Sequence, residues 1–189
     1  MIQGMRLASL ALVFVLLPLG GCSWLTGEGG EAPCDNDLSG CFDDTSTFME
    51  DPSCTRTGEL DIQLGEGETM FTPLEAGELP QIHHGFQGGQ HVWMAVRVKN
   101  PDLDRKQLKI RVKLEYCNEG CDDPDNWEVD NLRELVAEES TMTITPEGWM
   151  EQTRMLVTVF GWVDAQQRRL EMLVTDPCGR QGIVTRVSP

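Results

Sequence analysis

The sequence predicts an all-β protein, an antiparallel β-sandwich of immunoglobulin-like plan. Two observations predict it. Apolar and polar residues alternate with a period of two over several short stretches, the pattern of a strand with one buried and one wet face. Clusters of Gly, Pro, Asn and Asp separate those stretches at short intervals, as turns do between sandwich strands.

The elements follow in order. Leu60, Ile62 and Leu64 alternate with Glu59, Asp61 and Gln63. Strands are expected at Thr69–Leu74, Leu79–His83 and His91–Lys99, with Glu75-Ala76-Gly77-Glu78 and Asn100-Pro101-Asp102 as turns. Leu108, Ile110, Val112, Leu114 and Tyr116 alternate with Lys109, Arg111, Lys113 and Glu115. Val129, Leu132, Leu135 and Val136 have helical spacing instead, so one short helix is expected at 129–138. Met142–Thr145, Arg154–Val163, Leu170–Val174 and Gly182–Val187 complete the strands, separated by Pro146-Glu147-Gly148, Asp164-Ala165-Gln166 and Asp176-Pro177-Cys178-Gly179. A closed barrel is the alternative architecture. Strands 91–99 and 154–163 are apolar on both faces, with Trp93, Ala95, Leu156, Phe160 and Trp162 on the second. That second face is covered by a loop, the helix or a neighbouring strand, or it is a patch for a protein partner.

The N-terminus reads as an address. Arg6 precedes the apolar run Leu7–Leu17, which is followed by Pro18 and the small residues Leu19-Gly20-Gly21-Cys22. A charged start, a run of this length and a small-residue cleavage site describe an export signal, and the run falls short of the roughly 20 apolar residues of a bilayer span. The four residues Leu19-Gly20-Gly21-Cys22 resemble the lipobox of bacterial lipoproteins. The resemblance implies cleavage after Gly21, a thioether-linked diacylglycerol on Cys22 and acylation (palmitate-type chains) of the new amino terminus. Several acyl chains on one residue make a durable membrane anchor, which a single chain does not. Ser23 stands where an aspartate would imply retention at the inner membrane, so the outer membrane is expected. The organisation is then a signal at 1–21, a Gly-, Asp- and Ser-rich tether at 22–56 and a sandwich domain at 57–189.

Composition fits that address. The chain has 15 Lys+Arg against 31 Asp+Glu, a formal net charge of -16, which becomes -17 when Arg6 leaves with the signal. Such a surface repels phosphate backbones, so no nucleic-acid partner is expected. Of seven cysteines, Cys22 carries lipid, leaving Cys34, Cys41, Cys54, Cys117, Cys121 and Cys178. An even set in an oxidising compartment predicts three disulfides, and sequence alone does not choose their connectivity. Short loops favour Cys34–Cys41 and Cys117–Cys121, which would leave Cys54–Cys178 to tie the domain's ends. Zinc at Cys117-x3-Cys121 is the rival reading, disfavoured by export.

The segment His83-His84-Gly85-Phe86-Gln87-Gly88-Gly89-Gln90-His91-Val92-Trp93 resembles a group of uncharacterised exported lipoproteins of myxobacteria and their relatives. The resemblance implies an all-β body and an outer-membrane location, and names no activity. All three histidines of the chain, His83, His84 and His91, fall in it, and imidazole suits copper or zinc. Asp35–Asp43 resembles the first nine positions of a calcium loop, but Ser46 stands where the bidentate Glu belongs, so a polar linker is the expected reading. Gly-x-Ser-x-Gly, His-Glu-x-x-His and phosphate-loop patterns are absent, and no enzyme is expected. The expected function is a lipid-anchored binding or structural module of the cell envelope, with an envelope protein as partner and no cofactor. The alternative is a copper- or zinc-binding lipoprotein using His83, His84 and His91.

Overall fold

The computed structural model describes residues 47–102 and 104–188. The expected export signal, Cys22, Cys34, Cys41 and the calcium-like stretch therefore lie outside the described residues. In chain order the strands are β1 (Asp61–Glu66), β2 (Thr72–Pro73), β3 (Ile82–His84), β4 (Gln90–Lys99), β5 (Gln107–Cys117), β6 (Glu128–Glu138), β7 (Met142–Ile144), β8 (Trp149–Val159), β9 (Gln167–Thr175) and β10 (Gln181–Val187). One sheet has the order β2-β1-β4-β8-β7, with β3 also paired to β4; the other has the order β10-β9-β5-β6. All pairings are antiparallel, and the two sheets pack as a β-sandwich.

The alternating residues make the core. Val92, Met94, Val96 and Val98 of β4 and Met155, Val157 and Val159 of β8 face Leu108, Ile110, Val112 and Leu114 of β5 and Leu170, Met172 and Val174 of β9. Each of these is almost wholly buried, and burying one such side chain stabilises by about 1.5–3 kcal/mol.

The expected helix at 129–138 is a strand. In β6, Leu135 and Ala137 face the core, but so do Asn131 and Arg133, while Leu132 and Val129 are exposed. A bulge at Asp130, where the register shifts between Leu114 and Glu115, adds one residue. Inward polar residues plus an extra residue erase the period of two and leave apolar positions at accidental helical spacing. The strand expected at 154–163 also moves, to Trp149–Val159. Met94 faces Met155 and Val96 faces Gln152, so a bulge interrupts β8 there, and Arg154 adopts a left-handed φ of 60°. Trp162 then turns fully inward beyond the strand's end.

The doubly apolar face is covered in part by a loop. Ala95 is fully buried on the outer side of β4, and the 67–71 segment crosses near it: the Gly67 amide donates to the Trp93 carbonyl and the Arg154 amide to the Gly67 carbonyl, both at 3.0 Å. A side chain at Gly65 would collide with the Phe71 ring, which therefore lies over that glycine. Arg97 stacks on Phe71 and Trp149, 4.8 and 4.5 Å from the ring centres, and donates to Gln63. Phe160 is left 70% exposed.

At one end of the sandwich, the base, residues 49–56 are fastened to the 99–107 and 175–181 segments. Cys54 bonds to Cys178, the Met49 amide donates to Gln107 Oε1 (3.2 Å) and the Asp51 amide to the Pro177 carbonyl (2.8 Å). Beneath them the wholly buried Asp176 carboxylate accepts from the amides of Asp102, Cys178 and Arg180 and from the Arg180 guanidinium at 2.6 and 3.0 Å. The second described disulfide, Cys117–Cys121, closes a tight loop at the opposite end. Asp176→Ala would leave Arg180 charged with only 12% of its side chain exposed. Breaking a buried pair in this way costs roughly 3–5 kcal/mol. Urea unfolding should register a loss of that order; a loss under about 1 kcal/mol would contradict the role given to this network.

Candidate functional site

The three histidines sit on or beside the β3–β4 hairpin. The loop between the strands is Gly85–Gly89, closed by Gly85 N–H to the Gly89 carbonyl (2.7 Å) and Gly88 N–H to the Gly85 carbonyl (3.0 Å). Gly88 has a φ of 82°, which favours glycine there. This tight turn sets the register Ile82 opposite Val92, His83 opposite His91 and His84 opposite Gln90.

That register sorts the histidines. Directly opposed residues share a face, and successive residues take opposite faces. His83 and His91 are therefore neighbours on the outer face, with ring centres 5.7 Å apart and planes inclined by 22°. His91 also meets the Trp93 ring edge-on, at 5.4 Å and 84°. His84 lies on the other face, exposed, its Nδ1 3.5 Å from Gln90 Nε2. The structure thus brings two of the three together and keeps the third apart.

Beside this pair opens a cleft of about 240 Å³, lined by Glu66, Gly67, Glu68, Thr72, Gln81, His83 and Trp93. Glu66 Oε2 accepts the Gln81 amide at 2.7 Å, which fastens the segment leading into β3 to the end of β1. The proton affinity of His91 is lowered by burial first and by its neighbour His83 second, with Glu68 pulling weakly the other way. Neutral imidazole, the form that ligates metals, is therefore favoured at His91 near neutral pH.

The carboxylates of Glu66 and Glu68 do not emerge from sequence spacing. They come to line the cleft beside His83 only because β1 runs beside β4 and the 67–71 segment folds over it. Among the described residues the group of three metal-ligating side chains whose donor atoms converge is Cys54, Asp102 and Cys178, not the histidines, and both of its sulfurs are consumed by their disulfide. The Cys117 and Cys121 sulfurs are likewise bonded to each other, which removes them as zinc ligands. The same end of the sandwich carries Phe86 at the hairpin tip and Phe160 after β8, both well exposed.

Comparison of the chain with known protein families and with curated proteins finds no match to either.

The environment of His91 makes a specific titration. Its midpoint, followed by the ring carbon-bound protons in NMR, should fall below the ordinary value of about 6.5. Because the folded value is the depressed one, the stability tied to this group is present above about 6.5 and is lost as pH falls through the folded midpoint. A midpoint at or above that of an unfolded-chain histidine would show that burial and His83 do not act on it as described.

Proposed function

We propose that the protein is a lipid-anchored lipoprotein of the outer membrane that serves as a binding or structural module of the cell envelope and performs no catalysis. The observation that carries this reading is Leu19-Gly20-Gly21-Cys22 at the end of an export signal. Two features of the folded domain support it. The disulfides Cys54–Cys178 and Cys117–Cys121 suit an oxidising compartment outside the cytoplasm. The described chain also starts at the base of the sandwich, and the β3–β4 and β8–β9 turns, with the exposed Phe86 and Phe160, lie at the opposite rim. Exposed aromatic side chains at such a rim suit contact with another envelope protein.

The anchor is tested by labelling. Cells fed an alkyne analogue of palmitate should yield labelled wild-type protein and unlabelled Cys22→Ala protein, with the labelled form sedimenting in the outer-membrane fraction of a density gradient. A wild-type protein that takes up no label, or a Cys22→Ala variant labelled to the same extent, removes the basis for the proposal.

A further inference from the structure

We propose that Cys54, Cys178 and Asp102 form a site for a borderline-soft divalent cation of the Zn(II) type when the Cys54–Cys178 bond is reduced. In the oxidised chain the bond withholds both sulfurs, so redox state governs the site. The inference does not depend on the lipid anchor and stands or falls separately from it.

The three donors already converge at the base of the sandwich. The two Sγ atoms and a carboxyl oxygen of Asp102 lie within 4.8 Å of one another. Around a tetrahedral ion with Zn–S of about 2.3 Å and Zn–O of about 2.0–2.2 Å, a sulfur and an oxygen stand about 3.6 Å apart and two sulfurs about 3.8 Å. The carboxyl oxygen therefore has little distance to travel. The freed sulfurs have to part, and rotation about their Cα–Cβ bonds achieves this on Cα atoms 5.4 Å apart.

Asp102 gives the second, independent indication. It is only 3% exposed, yet its Oδ2 has no hydrogen-bond partner among the described residues. Its Oδ1 accepts the Asp104 amide at 3.2 Å, and its own amide donates to Asp176 Oδ2 at 3.2 Å. A buried carboxyl oxygen without a partner is costly and uncommon, and a cation is the partner that would satisfy it. Asp176 Oδ1 also accepts the Cys178 amide at 3.1 Å, so one buried carboxylate fixes the backbone of two of the three ligands. The Arg56 amide donates to Cys54 Sγ at 3.4 Å, an outer hydrogen bond of the kind that steadies a ligating thiolate.

Both cysteines are half-buried, so a small dithiol can reach them. Its thiolate attacks one sulfur, its second thiol resolves the mixed disulfide, and it leaves as a cyclic disulfide. Two electrons and two protons pass to Cys54 and Cys178. Zn(II) then displaces the two thiol protons and is held by two thiolates and one carboxylate, with one position left for water. Thiolates select such an ion over Mg(II) or Ca(II). The cation then ties residue 54 to residue 178 while the covalent bond is open.

The test uses the full chain, detergent-solubilised and reduced by a phosphine without oxygen, at about 0.15 M salt with excess Mg(II) to occupy the acidic surface. Co(II) serves as the spectroscopic probe for zinc. Reduced wild type should bind one more equivalent of Co(II) than reduced Cys178→Ser, with the visible bands of a tetrahedral thiolate site, and Zn(II) should displace it. Unreduced wild type should lack those bands. Asp102→Asn has the same shape and keeps both cysteines, so it separates ligation from folding. It should weaken the reduced protein's affinity by at least the roughly tenfold that disturbing an outer partner of a metal site already costs. Equal uptake by reduced wild type and Cys178→Ser, or binding by Asp102→Asn as tight as wild type, overturns the proposal. So does a circular dichroism sheet signal that reduction abolishes and Zn(II) does not restore.

Discussion

The sandwich depends on how the exposed edge of β8 is finished. A sheet edge presents a row of unpaired N–H and C=O groups. β7 pairs with β8 only at Met150–Gln152, so from Leu156 onward that edge needs other partners. β6, at the edge of the facing sheet, supplies them through side chains. Arg133 donates to the Leu156 carbonyl, Asn131 to the Thr158 carbonyl and hydroxyl at 3.0 and 3.1 Å, and the Asp130 carboxylate accepts from the amides of Phe160 and Trp162. The bulge at Asp130 makes this possible by presenting consecutive polar residues to β8. On the other side the two sheets meet through backbone, with the Leu60 amide donating to the Gln181 carbonyl at 2.9 Å and Gly182 leaving no room for a side chain against Ile62. One flank is thus closed by polar side chains and the other by close approach.

This arrangement also explains what the sequence could and could not reveal. β1, β5, β9 and β10 follow the alternation of an inward and an outward face, β4 keeps it on its inward side, and all five are legible to within about three residues. β6 breaks the rule because Asn131 and Arg133 serve the backbone of a strand in the other sheet, a demand that no local window contains. β8 breaks it because Arg154 occupies a bulge, which reverses which residues face inward along the strand. The short β2 contains Pro73, which can donate nothing to a ladder and is tolerated only at an edge.

The same division holds for the candidate site. Three histidines in nine residues are conspicuous in the sequence, and the hairpin between them is announced by its glycines. Which two share a face is decided by register, and register follows from the turn's hydrogen bonds, which composition does not specify. Of the cysteine pairings favoured by loop length, Cys117–Cys121 is present, and so is the long-range Cys54–Cys178 that would remain. The nature of the doubly apolar face was open, and the answer is mixed: Phe71 and the loop around it cover Gly65 and Ala95, while Phe160 faces solvent.

The Cys54–Cys178 bond has a mechanical meaning. Tension on the chain preceding Cys54 would otherwise reach β1 directly and peel it from β4 one hydrogen bond at a time, the easiest way to open a sheet. The disulfide diverts that load to the turn between β9 and β10, where Asp176 and Arg180 lock the backbone from beneath. Force then enters the second sheet at its base while β1, seven residues further on in sequence, stays slack. A pull on the segment before Cys54 therefore loads the second sheet as a whole instead of unzipping the first.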